Sequence, residues 1–133
     1  SKSIKLKFNI NNESSEDRKM ILGDNDLLGN LIFNIIENAI KYSPNNEVVT
    51  ITLLYKDETS ELMVDDKGPG IPADVLPYIF ERFSRGAEVE TRVKGFGLGL
   101  AIAQKIAILH SAKLSAENLS GSGARFIFEI KNI

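Results

Sequence analysis

The sequence predicts an α+β fold, a two-layer α/β sandwich with helices on one face of a mixed, mostly antiparallel sheet. Three observations carry this. The element order reads strand, helix, strand, strand, short helix, loop, helix, strand, strand. The first long helix has a strong apolar stripe that demands a partner layer. The chain closes on two strands joined by the turn Ser120-Gly121-Ser122-Gly123, the second of them alternating strictly.

In chain order, Ile4, Leu6, Phe8 and Ile10 alternate with Lys5, Lys7 and Asn9, which predicts a half-buried strand. A polar stretch, Asn11 to Lys19, follows. Asp24 stands where an N-cap is wanted. Beyond it Leu27, Leu28, Leu31, Ile32, Ile35, Ile36, Ala39 and Ile40 recur with helical period, and the helix should end near Tyr42, before Ser43-Pro44. Val49 to Tyr55 and Glu61 to Asp65 read as strands of a hairpin across Lys56-Asp57-Glu58-Thr59-Ser60. DDKGPGIP must be loop. Asp74 is placed to cap a short helix through Val75, Leu76, Ile79 and Phe80, with Pro77 near its first turn. Ser84 to Phe96 is polar, lacks apolar periodicity and is bracketed by Gly86 and Gly95, a loop long enough to be functional. Leu98 to His110 reads as a helix with Leu98, Ile102, Ile106 and Leu109 on one face. Lys113 to Glu117 and Arg125 to Lys131 are the last strands, with Phe126, Phe128 and Ile130 pointing one way.

Composition bounds the function. The 133 residues make a single domain, 1–133. Sixteen basic residues face eighteen acidic ones, net -2, which argues against a dedicated nucleic-acid binder. The absence of cysteine removes disulfides, thiolate zinc sites and thiol nucleophiles, and one histidine, His110, excludes a multi-histidine metal site. No apolar run approaches a membrane span, and SKSIKLKFNI does not read as a signal peptide.

Four segments invite chemistry. On the first long helix Asn30, Asn34 and Asn38 fall four apart, opposite the apolar stripe, and Lys41 and Tyr42 continue the line. A solvated face is the plain reading. Asparagine, however, costs a helix about half a kcal/mol relative to alanine, so solubility alone does not explain three of them. Amide oxygens suit Mg²⁺, and Lys41 suits phosphates. The functional reading is preferred for Asn34, Asn38 and Lys41, the plain one for Asn30. In Asp65-Asp66-Lys67-Gly68-Pro69-Gly70-Ile71-Pro72, turn-forming residues could serve only a strand exit. Asp66 nevertheless follows an apolar strand, so its carboxylate needs a donor inside the domain, such as a purine amine. Gly95-Phe96-Gly97-Leu98-Gly99-Leu100 would present backbone N–H groups to an anion at a helix start, yet fits neither a P-loop nor a dinucleotide fingerprint. Phe80-Glu81-Arg82-Phe83-Ser84-Arg85 is either a helix end or a site where Arg85 meets a terminal phosphate.

In this order and spacing, the segments resemble the ATP-binding catalytic domain of sensor histidine kinases, in the superfamily with gyrase, the heat-shock ATPase chaperones and MutL-type repair proteins. NLIFNIIENAIKYSP is similar to the N box, DDKGPGIP to the first glycine box, YIFERFSR to the F box and GFGLGL to the second glycine box. GSGARFIFEI resembles the last glycine-containing strand turn. The likeness runs over essentially the whole chain and implies a Bergerat-type fold that binds ATP and Mg²⁺. It implies that Asn38 coordinates Mg²⁺, that Asn34 and Lys41 lie near the phosphates, and that Tyr42 lies near ribose or base. Asp66 would accept from the adenine N6 amine, with Gly68, Gly70, Ile71 and Ala124 around the base. Arg85 would approach the γ-phosphate. Gly95, Gly97 and Gly99, with Leu98 and Leu100, would close an ATP lid spanning about 84–97. Phe80 and Phe83 would anchor the lid base and help dock a partner domain.

The resemblance also chooses a branch. Relatives that hydrolyse ATP or phosphorylate serine carry a glutamate four residues before the Mg²⁺ asparagine, as general base. Here that position is Asn34, which accepts no proton at neutral pH, and Glu37 lies about 100° around the helix from Asn38. A neutral imidazole needs no base, because its lone pair is available. The implied activity is therefore γ-phosphoryl transfer to histidine, with Asn34, Asn38 and Arg85 as catalytic residues. The alternatives are an ATPase or serine kinase of the same superfamily, or a nucleotide-free interaction module. Two positions depart from the pattern: Ala124 replaces a common threonine or serine, and Ser111-Ala112 replaces paired glycines. The family's acceptor histidine lies on a preceding two-helix segment, so His110 is read as structural, at a helix C-terminus that favours positive charge. Expected partners are that dimerisation and histidine-phosphotransfer domain and a downstream response regulator. A monomeric isolated domain and a cytoplasmic location are also expected.

Overall fold

A computed structural model of the chain describes residues 3–15, 20–81 and 99–133. Its elements are β1 (Lys5–Asn12), α1 (Asn25–Tyr42), β2 (Val48–Tyr55), β3 (Thr59–Asp65), a 3₁₀ turn (Leu76–Tyr78), α2 (Gly99–Leu109), β4 (Lys113–Asn118) and β5 (Ala124–Lys131). The five strands form one sheet in the order β1-β2-β3-β5-β4. Only β1 and β2 run parallel, and α1 supplies the crossover that a parallel pair needs. The remaining pairs are antiparallel. This is the predicted α+β sandwich, with the helices on one side.

Alternation decides which side chains they cover. Val49 and Ile51 of β2, Leu62 and Val64 of β3, Leu114 of β4, and Phe126, Phe128 and Ile130 of β5 are all buried. Against them lie Leu28, Leu31, Ile35 and Ala39 of α1, and Leu100, Ala103, Ile106 and Ala107 of α2. The α2 face differs from the expected one. Ile102 and Leu109 are exposed at 50% and 68%. The contact face is instead built partly from alanines, which let the helix lie close to its neighbours.

The first strand forms as expected but is not half-buried. Leu6, Phe8 and Ile10 pair with Val49, Ile51 and Leu53, so they share the core face of the sheet. They are nevertheless 44%, 66% and 67% exposed, because β1 is the edge strand and the helices do not reach over it. The central hairpin is tighter than predicted: Thr59 and Ser60 belong to β3 rather than to the loop. The segment after Asp74 is a single 3₁₀ turn without a side-chain cap, with proline in its first turn.

Helix α1 begins as the sequence dictates, with Asp24 accepting from the Leu27 amide at 2.9 Å. His110, at the end of α2, reaches the same cap. Its Nε2 accepts from the Asp24 amide at 3.0 Å, while Nδ1 lies 2.8 Å from the Ile106 carbonyl. Nε2 takes the Asp24 N–H as an acceptor, which leaves Nδ1 to donate to the Ile106 carbonyl. The turn beyond it places Ser111 at φ 53°, the left-handed conformation that glycine would occupy without strain.

Candidate functional site

A cleft opens at the end of α1 and β3. It is lined by Asn38, Tyr42, Asp66, Gly70, Ile71, Ala124 and Phe126, and its open volume is about 220 Å³.

The asparagine row reaches it by a graded burial. Asn30 is exposed, Asn34 half-buried and Asn38 only 7% exposed. The row is therefore not opposite the core, as the sequence suggested, but climbs along its margin. Asn34 donates from Nδ2 to Asn30 Oδ1 at 2.8 Å, and Asn30 itself is exposed, as the solvated-face reading had it. The amide oxygen of Asn34 lies beneath the start of α2, where a Cβ on Gly99 would stand 2.9 Å from it. The Asn38 side chain makes no hydrogen bond among the described residues. A buried amide left in that state costs roughly 1–3 kcal/mol unless something else satisfies it.

Asp66 is the second buried polar group of the cleft, 4% exposed. Its Oδ1 accepts from the Gly68 amide at 2.9 Å and the Ala124 amide at 3.2 Å. Oδ2 has no hydrogen-bond partner among the described residues. Burial raises the carboxyl above its ordinary 3.8, with the two amides pulling the other way. At Ala124, where the resemblance led to a side-chain hydroxyl, the main-chain amide meets Asp66 instead.

The loop after Asp66 is fixed from both sides. Ser43, the buried residue that ends α1, accepts from the Lys67 amide at 3.3 Å. Ser122 donates to the Gly68 carbonyl at 2.9 Å. Asn118, at the end of β4, holds the main chain of Ile71 twice: Oδ1 accepts from its amide at 2.7 Å, and Nδ2 donates to its carbonyl at 2.8 Å. Gly70 sits at φ 85°, where L side chains are strained. A Cβ on Gly68 would run into the Tyr42 carbonyl, so packing against α1 already explains that glycine.

Other predicted site residues take varied places. Lys41 is exposed, its ammonium 5.3 Å from the Tyr42 ring centroid. Leu100 is in the core and holds α2 rather than lining the cleft. Phe80 stands edge-on to the cleft residue Phe126, ring centroids 6.0 Å apart. Arg85, Gly95, Gly97 and Leu98, with the expected lid at 84–97 and Phe83, lie outside the described residues. Ser43, Asn118, Ser122 and Phe126 were not predicted as site residues. Asn118 falls one residue past the strand read from the sequence, Lys113 to Glu117, where an asparagine before a turn draws no notice. Among the described residues no cluster of three or more His, Cys, Asp or Glu could hold a metal ion. No helix of the described residues is long and apolar enough to cross a membrane.

Comparison with known proteins gives a family and agrees with the fold. Residues 23–132 match the family described as histidine kinase-, DNA gyrase B-, and HSP90-like ATPase. The sensor protein KdpD of Clostridium acetobutylicum is 35% identical over 130 residues, covering 97% of this chain and 14% of its own length. The mycobacterial sensor histidine kinase MprB superposes with a TM-score of 0.77 at 28% identity, over 97% of this chain and 82% of that one. Full-length ShkA in complex with AMPPNP gives 0.75 at 28% identity, over 97% of this chain and 26% of its own. The chain spans 14% and 32% of the length of the first two curated relatives it matches.

Proposed function

Because the chain belongs to the histidine kinase-, DNA gyrase B- and HSP90-like ATPase family, as a catalytic domain of the sensor histidine kinase type, we propose that it binds Mg·ATP in this cleft and transfers the γ-phosphoryl to a histidine on a separate dimerisation domain. The observation that carries the reading is a pair of buried polar groups in one cleft, the Asn38 amide and Asp66 Oδ2, neither hydrogen-bonded among the described residues. An adenine amine would satisfy the second.

The Asn38 amide oxygen, a hard donor, fits Mg²⁺, which when bound offsets phosphate charge. Tyr42 would lie beside ribose or base, with Gly70, Ile71 and Ala124 around the ring and Gly68 shaping the loop. Asn34 and Lys41 would orient the phosphates. Arg85 would meet the γ-phosphate, and Gly95, Gly97, Leu98, Gly99 and Leu100 would form the lid and its hinge. Transfer is then chiefly positioning and charge stabilisation, as phosphoryl transfer generally is. Asn34 argues against water or a serine hydroxyl as nucleophile: an amide already donating to Asn30 offers no base. The ShkA complex with AMPPNP supports a nucleotide in a fold of this kind. A response regulator downstream, a monomeric isolated domain, no nucleic-acid partner and a cytoplasmic location complete the reading.

Calorimetric titration with Mg·ATP tests the binding half, and absence of heat at millimolar nucleotide would refute it. The transfer half is tested by mixing the domain with labelled ATP and a panel of isolated dimerisation domains. Acid-labile phosphate on one of them is expected; steady hydrolysis without transfer would favour the ATPase alternative.

A further inference from the structure

We infer that Asn118 is a positioning residue for the base end of the nucleotide cleft, acting through its double hydrogen bond to the main chain of Ile71. This rests on the reading of the cleft given above and adds to it a residue that does not line the cleft.

Ile71 lines the cleft and is 4% exposed, yet it belongs to a loop rather than a regular element. Its amide and carbonyl therefore have no ladder to join. One side chain, 47 residues away, takes both at 2.7 and 2.8 Å. That double grip fixes the two peptide units flanking Ile71 in orientation as well as in distance. The preceding residue depends on the same side chain. Gly70 is held at φ 85°, and a Cβ there would stand 3.0 Å from Asn118 Oδ1. Glycine and asparagine thus fit as a pair.

Asn118 is exposed and ends β4, where the chain enters its turn, so burial does not select it. Its place in the ladder is also telling. It pairs with Ala124, whose amide meets Asp66 Oδ1. The β4–β5 hairpin therefore grips the loop at Asp66, at Gly68 through Ser122, and at Ile71 through Asn118. Ala124 holds Asp66 at its amide and its carboxylate, whereas Asn118 holds both main-chain polar groups of Ile71.

Without the grip, Ile71 would sample other orientations, and apparent affinity falls by the fraction of time the cleft is competent. Competence for one part in ten would weaken binding about tenfold. The loss should be equal for ATP and ADP, since they share the base end. The test is calorimetric titration of ATP and ADP into the wild-type chain, Asn118→Ala and Asn118→Asp, with thermal melts establishing that each is folded. Hydrogen exchange at the Ile71 amide is followed in parallel. Asn118→Asp keeps the shape but sets an oxygen against the Ile71 carbonyl, and serves if the alanine variant does not fold. Faster exchange at Ile71 with an equal, roughly tenfold loss for both nucleotides is expected. Faster exchange with unchanged affinity would reduce Asn118 to a structural clamp and overturn the inference. So would a loss confined to ATP, which belongs to the phosphate end. A wild-type chain that binds neither nucleotide would instead refute the reading of the cleft itself.

Discussion

His110 Nε2 holds the Asp24 amide at 3.0 Å, so the last turn of α2 is fastened to the cap of α1. The ring also fills the space beside Gly23, where a Cβ would lie 2.9 Å from its Cδ2. Replacing His110 by alanine removes one hydrogen bond between the helices, a loss of about 1 kcal/mol. The melting temperature should fall by roughly 4 °C, read by calorimetry. An unchanged melt would mean that water satisfies the Asp24 amide equally well.

Asp66→Asn should separate binding from stability. Burial holds the Asp66 carboxyl above its ordinary 3.8, so the folded state favours the protonated form. That contribution is full below 3.8 and is lost as pH rises through the raised value. Asparagine mimics the neutral form and keeps the Oδ1 acceptor. The ligand-free variant should therefore melt above the wild type at pH near 7, the gap closing on acidification. Its preference for ATP over GTP should diminish. A variant that melts lower at neutral pH would contradict the sign argued here.

Asn38→Ala should behave similarly for another reason. The amide makes no hydrogen bond among the described residues, so its removal breaks none there. Alanine also suits a helix better by about 0.5 kcal/mol. The ligand-free fold should be as stable or slightly more so, whereas the Mg²⁺ dependence of ATP binding should weaken by about tenfold or more. A metal titration indistinguishable from the wild type would remove Asn38 from the proposed site.

Gly29 offers a control away from the cleft. It lies in the interior of α1, and a Cβ there would meet nothing within 4 Å. Gly29→Ala should add about 1 kcal/mol by helix propensity alone, visible as a higher denaturant midpoint with an unchanged slope. A lower midpoint would point to a backbone requirement at that position.

The regular elements were largely legible because periodicity reports burial directly. Asp24, the stripe of α1 and the alternation of β5 all stand where the pattern put them. Exposure at an edge was not legible: Leu6, Phe8 and Ile10 alternate like a buried strand, and the sheet order reveals that they stand on an edge that the described helices leave largely uncovered. The face of α2 was misread because alanine carries little weight in a hydrophobic pattern, yet Ala103 and Ala107 make the close approach. At the cleft, residue type was enough to single out Asn38 and Asp66. Asn118, Ser122 and Ser43 act through main-chain groups distant in sequence, and a side chain that binds a backbone leaves no periodic trace.

The order of the sheet has a bearing on biosynthesis. β5 emerges last of the five strands yet inserts between β3 and β4, and it brings the Ala124 amide to Asp66. A nascent polypeptide that has not yet delivered β5 lacks both a continuous sheet and a donor for the acid. The proposed competence for nucleotide should accordingly appear in one step, once β5 has emerged, with no partially built precursor able to capture ligand.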